Sequence, residues 1–384
     1  MHVITTQSEL DAFCEKASQR PFICVDTEFM RETTFYSTLC LIQAATDEAE
    51  AIIDPLAKDL DLAPFNALLL NNDIRKVLHA ARQDMEIFYK ICGEVPKNIF
   101  DTQIAAMALG YGDSVGYGAL VKGRLNLNLD KGARFTDWSR RPLSNKQLSY
   151  ALADVTHLRD IYPGLVQDLE GKGRMDWVIE EMKPQMEEKL YAFEPEMAWE
   201  RLKIRNPRKP YLAVLKAAAA WREREAIAKN IPRRRVLKDD ALYDLAQQKP
   251  KDLAALSRLR GIPNGFEKSR SAKGLVESLN AALDNADDYA PYIPKPKPMP
   301  PNLGATIEML KTLLRLRTEY VDIAPRMVAN SSDIEQLAAF GAKADISALK
   351  GWRLKVFGND ALKMLEGKIT LRLNGREVVA EDIS

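Results

Sequence analysis

The run FICVDTEF at residues 22–29 constrains this chain more than any other stretch. A short apolar segment that closes on acids reads as a strand leaving a core. In a strand, residues two apart face the same side, so Asp26 and Glu28 project together with Cα atoms roughly 6.5 Å apart. Residues 21–25 (PFICV), 39–44 (LCLIQA), 50–53 (EAII) and 75–80 (RKVLHA) read as strands, whereas 7–19, 63–71 and 82–91 have helical spacing. Strands interleaved with helices predict an α/β domain with a mixed sheet. From about residue 100 the pattern turns helical. Phe100, Asp101 and Thr102 open a helix that runs through Leu109, and Gly110, Gly112, Gly116 and Gly118 punctuate a turn-rich stretch after it. These glycines do not form a phosphate loop: the chain has no G-x-x-x-x-G-K-[ST], and they do not join a strand to a helix. Ser144 and Gln147 have capping-box spacing, ahead of a helix predicted over about 145–160 that stops near Pro163 and Gly164.

At 384 residues the chain exceeds one ordinary core. Beyond 200 it reads as helices separated at Pro207, Pro210 and Pro232. The segment DYAPYIPKPKPMPPNL (288–303) has the composition of a semi-rigid extended linker. Near the end, KITLRLNGREVVA reads as a hairpin centred on Asn374 and Gly375. Charge divides along the same lines. Residues 1–200 hold 32 acidic and 21 basic residues, and residues 201–238 hold 13 basic and 2 acidic ones. Such a split fits carboxylates gathering cations in one place and basic side chains gripping phosphates in another, although a charge run also serves as a solvated helix face. The four cysteines stand far apart with no C-x-x-C pair, which argues against a zinc ribbon and a disulfide framework. The opening MHVITTQSEL has no basic stretch followed by an apolar one, and no run approaches about 18 apolar residues. A cytoplasmic chain without signal peptide or membrane span is expected.

Two acids ending a buried run are costly unless cations compensate them. A third carboxylate, Asp84, stands in HAARQD, where a predicted strand gives way to a helix; alone it reads as a first-turn acid favoured by the helix dipole. A fourth stands in YALAD. Tyr150 and Asp154 are four apart on the capped helix, so phenol and carboxylate point the same way. Taken singly, each piece has a plainer explanation as a solvent-facing strand end, a helix start, or packing beside a surface acid. Were a fold to gather the four acids, they would require cations, and hard oxygen ligands suit Mg²⁺ and Mn²⁺. His79 has no second ligand at metal spacing and reads as a structural histidine. Lys122, Arg124, Lys131, Arg134, Arg140, Arg141 and Lys146 either line the approach to the acids or form a solvated loop.

In combination and in this order, the pieces resemble the tyrosine-bearing branch of the DEDD exonuclease superfamily. The strings DTEFMRETTFYSTLCLIQ (26–43), HAARQDMEIF (79–88), FDTQIAAMALGYG (100–112) and DWSRRPLSNKQLSYALADV (137–155) narrow the resemblance to ribonuclease D, with no member of the catalytic set missing. The resemblance implies a ribonuclease H-like α/β exonuclease domain over residues 1–195 that removes 5′-mononucleotides from RNA 3′ ends. It further implies two divalent ions, Mg²⁺ or Mn²⁺, held by Asp26, Glu28, Asp84 and Asp154, with Tyr150 orienting the attacking water and Asp84 acting mostly through water. Thr27, Phe29 and Met30 then line the terminal nucleotide's pocket or simply pack. The stretch 210–261, PYLAVLKAAAAWREREAIAKNIPRRRVLKDDALYDLAQQKPKDLAALSRLRG, resembles an HRDC module, placed at 207–287. After a linker at 288–301, residues 302–384, with GATIEMLKTLLRLRTEYVDIAPRMVANSSDIEQLAAF and GWRLKVFG, resemble a diverged second copy. Both are expected to be small all-α domains. In the first, Arg222, Arg224, Lys229, Arg233, Arg234 and Arg235 are candidate phosphate contacts, and Trp221 and Tyr211 either stack on bases or fill the core. The implied partner is RNA, with tRNA precursors the family's typical substrate. Nothing read from the residues alone recognises a 2′-hydroxyl. A DNA 3′→5′ exonuclease of the Werner or proofreading type is therefore the near rival. An RNA-binding adaptor without turnover is the rival of another class, opposed by the complete acid set.

Overall fold

The short apolar runs of the first hundred residues pair into one six-stranded sheet. In the computed structural model, which describes residues 2–130, 132–133, 135–294 and 298–383, the strands are β1 (Val3–Ile4), β2 (Phe22–Met30), β3 (Thr38–Ala45), β4 (Glu50–Ile53), β5 (Arg75–Leu78) and β6 (Ile99–Asp101). Their order is β1-β4-β3-β2-β5-β6. The β2–β3 and β3–β4 pairs are antiparallel and the other three parallel, which makes the sheet mixed. β1 and β6 have two and three residues, too few to leave a periodic signal. β2 runs past Val25 because its acids continue the ladder, Asp26 opposite Gln43 and Glu28 opposite Leu41. The register shifts between Glu28 and Phe29, and bulges of this kind re-aim side chains beside functional sites.

Helices α1 (Gln7–Ser18), α2 (Ala63–Leu70) and α3 (Arg82–Cys92) follow the predicted spacing closely. Asp101 caps α4 (Thr102–Ala108), and α5 (Tyr117–Leu125) begins after Gly116. In α6 (Asn145–Gly171) the capping box is formed: the Gln147 amide donates to the Ser144 hydroxyl at 3.3 Å and the Ser144 amide to the Gln147 side chain at 3.0 Å. Contrary to the sequence reading, α6 continues through Pro163. Proline withholds the amide that the carbonyl four residues back would use, but Pro163 lies on the exposed side, where water can serve that carbonyl. The buried stripe of Val155, Leu158, Ile161, Tyr162, Leu165 and Leu169 carries the helix onward. α7 (Met175–Met182) completes this first unit.

Helices α8 (Lys209–Lys229), α9 (Arg233–Val236), α10 (Asp239–Gln248), α11 (Leu253–Ser257), α12 (Arg270–Asp284) and α13 (Ala286–Tyr289) surround a second core that includes Leu215, Trp221, Leu242 and Leu275. Pro210 stands in the first turn of α8, where a missing amide costs nothing. Residues 291–294 and 298–300 carry no regular structure; Lys295, Pro296 and Lys297 of the expected linker lie outside the described residues. A third core, with Leu310, Leu313, Leu337, Phe357 and Ile369, is enclosed by α14 (Gly304–Val321), α15 (Ser331–Phe340), helical turns over 351–365 and the hairpin of β7 (Ile369–Asn374) and β8 (Glu377–Asp382). The hairpin turns at Gly375, φ 64°, and Arg376, and it makes this last unit less than wholly helical. That unit is tied back to the first. Arg174 donates to the carbonyls of Ala108 (2.7 Å) and Asp322 (2.9 Å), and the rings of Trp177 and Trp352 stack 4.2 Å apart. No helix among the described residues is long and apolar enough to cross a membrane.

Candidate active site

α6 packs over β3 and β4 through Leu148 and Ala151 against Cys40, Leu41 and Ile52, which brings its Tyr150–Asp154 turn toward the acids of β2. One carboxylate oxygen each from Asp26, Glu28 and Asp154 lies within 4.8 Å of the others. Asp84, in the first turn of α3 and buried, is not one of these three; it stands in the same cavity and receives the Thr27 hydroxyl at 2.5 Å. Burial pushes the Asp84 carboxyl up to about 6, opposed by the Thr27 hydrogen bond. Asp26 is held well above the usual carboxylate range by its own burial and then by the charges of Asp84, Asp154 and Glu28. Such a cluster keeps its charge only with cations beside it. Its donors are all carboxylate oxygens, which Mg²⁺ and Mn²⁺ take in preference to softer ligands. The residues present therefore fit divalent cations.

The acids line a cavity of about 980 Å³ whose wall includes Phe29, Met30, His79, Tyr117 and Tyr150, at the upper end of the size range of small-molecule sites. Phe29 and Met30 are half-buried on that wall. Thr27 is 5% exposed, and its hydroxyl buttresses Asp84. His79 has both ring nitrogens engaged, with the Thr102 hydroxyl at 3.0 Å and the Val115 carbonyl at 3.1 Å, and burial lowers its pKa. A neutral, structural imidazole results.

Two residues of the site escaped the sequence reading. The Tyr117 hydroxyl donates to α6 at the carbonyls of Asp154 (2.7 Å) and Ala153 (3.1 Å), fixing the turn that presents the Asp154 carboxylate. Its burial, and then the charges of Asp154 and Asp26, raise its pKa, so it stays a donor. Buried Trp138 packs beside Tyr150, ring centroids 6.1 Å apart. Gly116 before Tyr117 was the one available signal, and no spacing rule links 117 to 154.

The basic candidates fare unevenly. Arg141 donates to both carboxylate oxygens of Asp54, at 2.6 and 2.7 Å, and to the Cys40 carbonyl; Arg124 pairs with Asp168 at 2.6 Å. Arg140 and Lys146 are exposed and pair with Asp137 and Asp130, Lys122 is exposed, and Lys131 and Arg134 lie outside the described residues. In the second unit Tyr211 and Trp221 are buried and pack in the core. Arg222, 3% exposed, is spent on Asp239 and the Leu237 carbonyl. Arg224 pairs with Glu196 and Lys229 with Glu225. Arg233 donates twice to the buried Glu223, whereas Arg234 and Arg235 are exposed.

Comparison with known proteins agrees with this geometry. Residues 1–170 match the family model described as 3′-5′ exonuclease, and residues 211–277 match the HRDC domain. The chain is 47% identical over 379 residues to Ribonuclease D of Nitrobacter hamburgensis, covering 99% of each. It is 43% identical over 376 residues to Ribonuclease D of Gluconacetobacter diazotrophicus, covering 98% of this chain and 95% of the relative. Among solved structures it is similar to Escherichia coli RNase D, described as an exoribonuclease involved in structured RNA processing, with a TM-score of 0.77, 30% identity, and coverage of 95% of this chain and 98% of that one.

Proposed function

The chain belongs to the ribonuclease D family and is a 3′→5′ exoribonuclease, and from that premise we propose that Asp26, Glu28, Asp84, Asp154 and Tyr150 carry the hydrolysis. The observation behind this is the convergence of three carboxylates, two from β2 and one from α6, within 4.8 Å at a cavity large enough for a nucleotide. These acids, with Asp84, would hold two divalent cations, Mg²⁺ or Mn²⁺. When bound, the cations supply the positive charge that activates water and steadies the departing 3′-oxygen.

The protein's own groups do the rest. Water attacks the terminal phosphorus, the bond from phosphorus to the 3′-oxygen breaks, and a 5′-mononucleotide leaves behind a new 3′-hydroxyl. Tyr150 orients that water: a phenol is un-ionised at neutral pH and is better placed to hold than to deprotonate. Thr27 and Tyr117 act at one remove, the first fixing Asp84 and the second Asp154. Phe29 and Met30 offer an apolar wall to the terminal base.

The relatives answer the choice of RNA over DNA that the residues left open. For the physiological substrate, we read structured RNA ends, tRNA precursors among them. The description of the Escherichia coli relative, the HRDC domain and the exposed Arg234 and Arg235 support that reading. We likewise read residues 1–195 as the exonuclease domain, 207–287 as the HRDC domain, 288–301 as the linker and 302–384 as a diverged second copy. The test is digestion of 5′-labelled and 3′-labelled RNA and DNA, including a tRNA precursor with a 3′ trailer, in Mg²⁺, Mn²⁺ or chelator. We expect immediate release of the 3′ label as mononucleotide, single-nucleotide shortening of the 5′-labelled strand, and trimming of the trailer, all dependent on cation. Internal cuts, an intact trailer or full activity in chelator would contradict it.

A further inference from the structure

The loop joining β2 to β3 begins at the catalytic cavity and ends against the second unit. Met30, Arg31 and Glu32, at its base, line the cavity. Phe35 and Tyr36, at its tip, are bent backbone outside the strands. Both of their amides donate to one atom, the side-chain oxygen of Asn230, at 3.2 and 3.3 Å. Asn230 is the residue that ends α8, at φ 47° and ψ 49°, a left-handed conformation that asparagine accepts more readily than most residues. Aromatic and charged side chains surround this joint. Phe35, Tyr36 and Phe193 cluster with ring centroids 4.8 to 5.8 Å apart. Arg233 lies over Phe35 at 5.2 Å and Lys90 over Tyr36 at 3.7 Å. Arg233 is anchored in turn by Glu223, whose side chain is 2% exposed.

We propose that Asn230 is a positioning residue for the exonuclease site: through its carboxamide, the end of α8 sets the loop whose base forms one wall of the nucleotide pocket. The proposal rests on reading that cavity as the pocket for the terminal nucleotide. Beyond the bulge between Glu28 and Phe29 the ladder resumes, Phe29 opposite Leu39 and Met30 opposite Thr38, and it ends there, so the placement of Arg31 and Glu32 on the cavity wall depends on what holds the far end of the loop. Two amides at a packed tip need an acceptor, and Asn230 supplies it for both. A small displacement of a substrate-positioning wall is enough to cost rate. The second unit thereby acts on every substrate, including those too short to touch it.

The test uses the full chain, cation-loaded, with a short single-stranded oligoribonucleotide that cannot reach from the cavity to α9. Asn230→Gly keeps the left-handed backbone and removes the acceptor; Asn230→Asp keeps an oxygen in its place. At a temperature where circular dichroism shows both variants folded, kcat/KM should fall about tenfold in Asn230→Gly, chiefly through KM, and stay within about twofold of wild type in Asn230→Asp. Hydrogen exchange at the Phe35 and Tyr36 amides should quicken in the glycine variant alone. Wild-type kcat/KM in Asn230→Gly, or equal impairment of both variants, would overturn the proposal. Asp26→Asn serves as the control: if it is inactive while Asn230→Gly is normal, this inference alone fails, whereas an active Asp26→Asn would remove the reading of the site itself.

Discussion

Asp26 lies among three other acids, and both its burial and their charges work against its ionised form. Neutralising it should therefore have opposite effects on folding and on catalysis. Asp26→Asn is expected to lower turnover by several orders of magnitude, because cation charge and ligand geometry are lost together. In chelator the same variant should unfold at a higher temperature than wild type, by roughly 2 to 4 °C, the shift that about 1 kcal/mol produces in a domain of this size. Thermal unfolding in chelator, set beside an activity assay in cation, checks both halves. Tyr150→Phe removes one hydroxyl near the attacking water. It should reduce kcat by about 10²-fold with the dissociation constant for RNA unchanged; an equal loss of affinity would make Tyr150 a stacking residue instead. Asp26 with Glu28, and Tyr150 with Asp154, were legible as same-face pairs because strand and helix periods place i, i+2 and i, i+4 side chains together, whereas Asp84 and the joining of the pieces into one set rested on the resemblance of the strings around them. Tyr117 was not, because it reaches Asp154 through backbone carbonyls of a helix distant in sequence, and such contacts leave no periodic mark.

At the level of elements, α6 carries the most consequence, since it presents both Tyr150 and Asp154. Its start was legible from the Ser144–Gln147 box. Its end was not: a proline signals a break whichever side of the helix it occupies, and only the packing shows that Pro163 faces water. Pro163→Ala tests this directly. Restoring an amide inside a continuous helix should stabilise the protein by about 1 kcal/mol or more, less than the full proline penalty of about 3 because the unfolded chain regains freedom. A neutral or destabilising result in urea unfolding would mean that the helix breaks there. Ser144→Ala should cost about 1 kcal/mol, the usual worth of an N-cap. β1 and β6 were invisible for a simpler reason, having too few residues to show alternation.

Across the whole molecule, the split between an acidic first half and a basic stretch after 200 is only partly a division between chemistry and RNA binding. Buried Arg222 is taken up by Asp239, and Arg233 by the buried Glu223, which no charge count could foresee, and the exposed Arg234, 3.7 Å from Asp239, and Arg235 are left as the candidates for phosphate contact. Replacing those two with Gln should lower the log–log salt slope of binding to a folded RNA by about 0.7 to 0.9 per arginine, with turnover of a short oligonucleotide unchanged. An unchanged slope would make them a solvated face. The proposed role of the carboxylates gathered by β2, α3 and α6 is to hold divalent cations. It is tested most directly by titrating Mg²⁺ or Mn²⁺ into the chelator-treated chain, following melting temperature and single-turnover RNA cleavage together in wild type and Asp26→Asn. In wild type both should rise over the same cation range, and in Asp26→Asn neither should. Cleavage in chelator at the full rate, or near wild-type cleavage by the variant once cation is restored, would rule that role out.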